Sequence, residues 1–232
     1  IISKYVKAKE EMIMPASGNR DVSCPHCGAV VKTQMSPQIN PQKNPELRKC
    51  VLSETLFEWK CSNCGYESEM MYPCLYHDKN NKFMVYISPN GTNKLQFVNM
   101  EETYPRLNGV TKRIVTSVKQ LKEKIAIFEN GLNDIAVELV KFALGDVAKK
   151  KHNKNVTNGY FSYIDSEEDK IYFSFFLKNQ DSPVLQGTKM DAYRKSVEVT
   201  ESVGEIADNN NFIFVDSDFA ENILQEYHNQ EE

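Results

Sequence analysis

Four of the six cysteines fall in two groups of the same form, Cys24-Pro25-His26-Cys27-Gly28 and Cys61-Ser62-Asn63-Cys64-Gly65. Two residues between thiols let both sulfurs reach one ion from a tight turn. A glycine just after the second thiol permits a positive φ, so backbone N–H groups can turn towards the thiolates. Two such knuckles complete a tetrahedral four-thiolate site of the kind that holds Zn2+. The 33 residues between Cys27 and Cys61 exceed the usual ribbon spacing of about 15–20, and an inserted loop and helix over residues 34–52 account for the surplus. The prediction is one structural Zn2+ per chain, held by Cys24, Cys27, Cys61 and Cys64. Four thiolates leave no open position at which a water could be activated.

The same residues admit other chemistry. Cys-Pro-His-Cys is also the active-site tetrapeptide of oxidising thioredoxin-fold enzymes, where it opens a long helix. Here Gly28 and β-branched residues follow it and a second pair waits downstream, which favours metal over redox catalysis. His26, inside the first knuckle, and His77, in Tyr76-His77-Asp78, are the candidate substitute ligands, and the closed four-cysteine set is preferred to either. Cys50 and Cys74 are expected as small buried apolar groups, and Trp59 as a core anchor beside Cys61. There is no phosphate-binding glycine loop, no H-E-x-x-H and no G-x-S-x-G.

The elements that must position the knuckles follow from local pattern. Residues 1–20 are a polar extension. Val30-Val31 and Leu56–Lys60 are strands beside the two cysteine pairs. Pro45, with Asn44 before it, starts a short helix. Cys74–Tyr76 and Phe83–Ile87 form strands about a polar turn at 78–82. Ser117-x-x-Gln120 is a capping box opening a helix with Leu121, Ile125 and Phe128 on one face. Asn130-Gly131 stops it, and a second helix from Asp134 to Lys150, with Ile135, Leu139, Phe142 and Val147 on one side, completes a helical hairpin. Residues 151–159 have the composition of a linker. Tyr160–Ile164 and Ile171–Leu177 alternate at period two. Met190–Ser202 is helical, Phe212–Val215 is a strand, and Asp216-Ser217 caps a last helix through Tyr227. The fold class is therefore α+β: a zinc-ribbon-like β unit with an inserted helix and a helical hairpin, then a ββαβα module. The domains expected are an extension over 1–20, a zinc-binding domain over 21–152 and a C-terminal domain over 153–232.

Charge is unevenly spread. Residues 1–110 carry 13 basic and 11 acidic side chains, residues 111–154 carry 10 and 5, and residues 155–232 carry 5 and 16. The acidic last third would repel phosphates. Lys149-Lys150-Lys151 suits a helix C-terminus, where cations complement the dipole. No apolar run approaches the roughly 18 residues that cross a bilayer. The opening residues show no leader pattern, and paired cysteines with a metal fit a reducing compartment, so a cytoplasmic location is expected.

Several of these segments together resemble the CpXC family of prokaryotic proteins. They are Cys-Pro-x-Cys-Gly at 24–28, Pro45-x-Leu47-Arg48, Phe57-x-x-x-Cys61-x-x-Cys64-Gly65, Leu75-Tyr76-His77-Asp78, Arg113-Ile114-Val115, Leu121-x-Glu123-Lys124-Ile125, and Leu132-x-Asp134 with Glu138. The likeness covers roughly residues 21–150. Ser62 departs from it, standing where the motif has proline, which is not a ligand. The resemblance implies the paired-cysteine metal site and no activity. The function expected is a non-enzymatic binding module, stapled by zinc, that recognises a protein partner. The alternatives are nucleic-acid binding by the ribbon, with Phe57, Trp59 and Tyr66 near Lys60 stacking on bases, and an enzyme using Tyr76-His77-Asp78 beside the metal.

Overall fold

The computed structural model describes residues 17–89, 91, 109–204 and 211–231. It divides into two compact units that meet in sequence at Lys122 and Glu123, with Phe212 belonging to the first and Ile213 to the second. The first 16 residues of the expected extension lie outside the described residues.

In the first unit two small hairpins carry the knuckles. Strand β1 (Gly18–Ser23) pairs antiparallel with β2 (Val30–Met35), and β4 (Glu58–Lys60) with β5 (Glu67–Glu69). The last residues of the expected extension are thus strand, because Gly18–Arg20 find backbone partners in Thr33–Met35. Between the hairpins run β3 (Gln38–Ile39) and helix α1 (Pro45–Leu52). Asn44 precedes α1 without donating or accepting a side-chain cap bond. Asn40 does the local work instead, its Oδ1 accepting from the backbone of Gln42 and Lys43 at 3.0 Å each. Strands β6 (Cys74–Asp78), β7 (Phe83–Ile87) and β8 (Thr111–Val115) lie beside β3 in the order β3-β6-β7-β8. The β6–β7 pair is antiparallel and the outer two are parallel. Alternation buries Cys74, Tyr76, Phe83, Val85 and Ile87, and the Tyr76 ring stacks on Phe83 at 5.8 Å.

Helix α2 (Val118–Glu129) opens as the capping box requires, with the Gln120 N–H donating to Ser117 Oγ at 3.3 Å. The Gln120 side chain reaches one residue further back than the motif prescribes, to the N–H of Thr116 at 2.8 Å. Gly131, at φ 67°, ends the helix, and Asn133 caps α3 (Asp134–His152) by accepting from Ile135 and Ala136.

Helix α3 is the centre of the second unit. One face (Val137, Val140, Leu144, Ala148) packs on Phe161, Ile171, Phe173 and Phe175 of a three-stranded antiparallel sheet. That sheet comprises β9 (Val156–Asp165), β10 (Lys170–Leu177) and β11 (Val184–Lys189) in the order β11-β10-β9. The other face (Ile135, Leu139, Phe142) packs on α4 (Met190–Val203) and α5 (Ser217–Glu231), alongside Val215, which follows β12 (Ile213–Phe214). Val147, expected on that apolar face, is 46% exposed.

Three expectations change. The module has a third strand, β11, whose Ser-Pro lead-in and central Gly187 gave no strand signal. The segment 151–159 is no linker: α3 runs to His152, Asn153 caps it in the left-handed region, and Asn155 accepts from the Lys178 N–H at 2.9 Å. The boundary between compact units accordingly falls within α2, ahead of the expected 152/153.

Candidate metal centre

Each knuckle is built by the same four backbone groups. The Cys24 N–H donates to Ala29 O at 2.9 Å and the Gly28 N–H returns to Cys24 O at 2.9 Å. In the second knuckle Cys61 N–H donates to Tyr66 O at 2.8 Å and Gly65 N–H to Cys61 O at 2.9 Å. Gly28 and Gly65 hold φ of +71° and +76°, with open space where a β-carbon would stand. Glycine is required here by backbone conformation and not by crowding.

The two hairpins bring the knuckles face to face. All four Sγ atoms lie within 4.8 Å of one another. Cys24 Sγ is 3.8 Å from Cys64 Sγ, and Cys27 Sγ is 3.9 Å from Cys61 Sγ. A tetrahedron with metal–sulfur bonds of about 2.3 Å has sulfur–sulfur edges of about 3.8 Å, so the four side chains fit one metal ion. Cys24 and Cys61 are buried, while Cys27 and Cys64 are exposed, one of each kind from either knuckle. Beneath the site Trp59 packs with Cys24 and Cys61, and its Nε1 donates to Thr33 Oγ1 at 2.8 Å, tying β4 to β2. Above it the His26 and Tyr66 rings stack at 5.3 Å.

Crowding four thiols separates their acidities. The Cys27 pKa is lowered to about 6, first by the backbone at Ala29 and then by the Asn63 amide, whose Nδ2 donates to Cys27 Sγ at 3.5 Å. Backbone groups of Cys64 and Asn63 lower Cys61. The backbone at Tyr66 lowers Cys64, but desolvation and its three thiol neighbours outweigh that and push it up to about 12. Four like charges this close cannot coexist without a cation among them, and a bound metal would draw off the remaining protons.

The model of the family described as CpXC protein matches residues 22–141, more than half of the chain. The chain belongs to the CpXC family. The matched span contains both knuckles, the β3-β6-β7-β8 strands and α2, and stops inside α3. No curated protein and no solved structure matches the chain.

The remaining CpXC-span residues singled out by sequence fall away from the metal set. Among the described residues only the four cysteines form a group of potential ligands. His26 is committed to its stack with Tyr66. Asp78 is buried and closes the β6–β7 turn, its carboxylate accepting from Gln42 Nε2 at 2.7 Å, Asn81 Nδ2 at 2.8 Å and two backbone N–H groups. Burial pushes its pKa up, but these hydrogen bonds prevail and hold it below the ordinary carboxylate value. Cys74 is buried and its thiol pushed up to about 12 by desolvation, as befits a packing group. Cys50 is half-buried. Sequence reasoning missed the metal-side role of Asn63; its place inside the knuckle was the available signal.

Proposed function

We propose that this CpXC protein is a structural-zinc interaction module without catalytic activity of its own, and that the second unit docks a basic protein surface. What supports zinc is an all-thiolate donor set at tetrahedral spacing, which suits Zn2+ over harder cations. Four sulfurs fill the coordination shell, so the ion would act through folding: binding energy becomes folding energy for two hairpins too short to be stable alone. On this reading the two hairpins form a zinc ribbon.

The observation that carries the docking reading is the outer face of β9-β10-β11. Tyr172 and Phe176 alternate with the buried Ile171, Phe173 and Phe175 and point the other way. They meet Tyr163 and Tyr160 across β9, in a stacked pair at 4.8 Å and an edge-on pair at 5.9 Å. Tyr163 is 45% and Leu185 52% exposed on the same sheet. The last helix was the obvious cover, yet α5 packs on α3 and α4. An aromatic face on a segment with 5 basic and 16 acidic side chains suits arginine and lysine, through both field and cation–π attraction. The test is affinity capture with immobilised zinc-loaded protein, with Tyr163→Ser/Leu185→Ser as the control. The expected result is a basic protein retained by the parent and lost by the variant. Capture of nuclease-sensitive nucleic acid, unaffected by the variant and weakened steeply by salt, would replace this reading with the nucleic-acid one.

A further inference from the structure

The two exposed ligands, Cys27 and Cys64, are not equivalent, and the difference lies in their neighbours. They occupy matching positions in the two knuckles, and each receives a backbone hydrogen bond two residues on, from Ala29 and Tyr66 respectively. Cys27 also accepts the Asn63 side-chain amide, reaching across from the opposite knuckle at 3.5 Å. His26 holds the position in the first knuckle that Asn63 holds in the second, and its ring is turned onto Tyr66, with an interplanar angle of 7°. The amide donor on Cys27 therefore has no counterpart on Cys64. Hydrogen bonds to a metal thiolate withdraw charge from sulfur and make it a weaker nucleophile. Cys61 and Cys24 are withheld by burial, at 1% and 2% exposure.

We propose that Cys64 is the reactive ligand of the site, the sulfur at which peroxides and soft electrophiles first attack, and that its modification releases the metal. With hydrogen peroxide, the Cys64 thiolate forms an S–O bond as the O–O bond breaks. Hydroxide leaves and takes a proton, and Cys64 becomes a sulfenic acid, oxidised by the two electrons the peroxide gains. The Cys24 sulfur, 3.8 Å away in the opposite knuckle, then attacks Cys64, forming S–S and expelling a second hydroxide that is protonated to water. Two thiolates, one peroxide and two protons thus give one disulfide and two waters. The site loses two of its four ligands and with them the metal, and a disulfide between the two knuckles takes the place of the ion as the link between the hairpins. This inference rests on the structural-zinc reading.

The experiment uses the full chain. Metal content is measured first. Limiting N-ethylmaleimide or hydrogen peroxide is then added, with metal release followed by a colorimetric indicator and each cysteine followed by peptide mass spectrometry. The expected result is modification of Cys64 several-fold faster than Cys27, in step with metal release, with Cys24 and Cys61 labelled by maleimide only after the metal has gone. Asn63→Ala should narrow the gap by speeding Cys27. Metal-loaded protein in which Cys27, Cys24 or Cys61 reacts first, or all four react at one rate, overturns the inference and leaves the structural-zinc reading standing. Protein that carries no metal overturns both.

Discussion

Cys61 shows how one residue serves two ends. Its sulfur belongs to the four-thiolate group, while its backbone N–H and C=O set the turn that presents Cys64. Cys61→Ser keeps the backbone bonds and removes a ligand, so the loss is one of metal and of the fold that metal supports. The expected outcome is less than one equivalent of zinc by elemental analysis, with amide-exchange protection lost over β1, β2, β4 and β5 and kept over α3 and β10. Unchanged protection in the hairpins would contradict a structural role. Gly28 and Gly65 offer a finer test of the same turns. A β-carbon meets no atom within 4 Å at either position, but both residues sit at positive φ. Gly65→Ala should therefore cost about 1–2 kcal/mol through backbone strain alone, seen as a lower unfolding midpoint of the metal-loaded protein.

Among the elements, the helical hairpin is held by charge as well as by apolar packing. Lys124 Nζ lies 2.7 Å from Asp134, with both side chains almost wholly buried. Lys141 Nζ bridges Glu123 at 2.9 Å and Glu138 at 2.8 Å. Glu123 also accepts the Phe161 N–H at 2.7 Å, occupying a backbone donor of β9 and fixing α2 to that strand. Glu123, Lys124, Asp134 and Glu138 belong to the segments that resemble the family, and here they are interior groups. Lys141→Met would leave two buried carboxylates without their cation, and the expected loss is about 3–5 kcal/mol at neutral pH, measured by urea denaturation. Glu138 has a different signature. Burial holds its carboxyl above the ordinary 4.5, outweighing the lysines that pull it down. The folded chain therefore binds that proton more tightly than the unfolded one. Stability from this group is fullest below 4.5 and is lost as pH rises through the higher folded value. Glu138→Gln should flatten that part of the stability–pH curve, and an unchanged slope would show that Glu138 does not titrate there.

At the scale of the molecule, the two units answer different questions. The first is organised around the thiolate site, and among the described residues no helix is long and apolar enough to cross a membrane. The second has its own core on both faces of α3, which predicts that stripping the metal with a chelator unfolds the hairpins and leaves the second unit cooperative. After chelation the thermal transition of the second unit is expected to stay where it was, while amide-exchange protection of the hairpins is lost. Limited proteolysis should spare residues 151–159, because that stretch is a helix end pinned to β10 by the Lys178–Asn155 hydrogen bond. Early cleavage there would restore the linker that its composition suggests.

What the amino-acid sequence determined by itself was local chemistry. Cysteine spacing and trailing glycines specify the knuckles because a two-residue turn and a positive φ are short-range requirements. Ser117 and Gly131 mark helix ends for the same reason, and period-two alternation fixes which of Tyr172 and Phe173 faces the core. The tertiary structure decided what depends on distant partners. The place of Asn63 inside its knuckle puts it near the metal, but that its amide crosses to Cys27 depends on the opposite hairpin, and nothing near Gly187 announces a strand; there the Tyr172 ring lies over the space a side chain would fill. The segment 151–159 looked like a linker since its polar composition records exposure to water, whereas a domain boundary is set by which cores the neighbouring elements share. Helix α3 shares its cores with β9, β10, α4 and α5, and that sharing is visible only once the chain has folded.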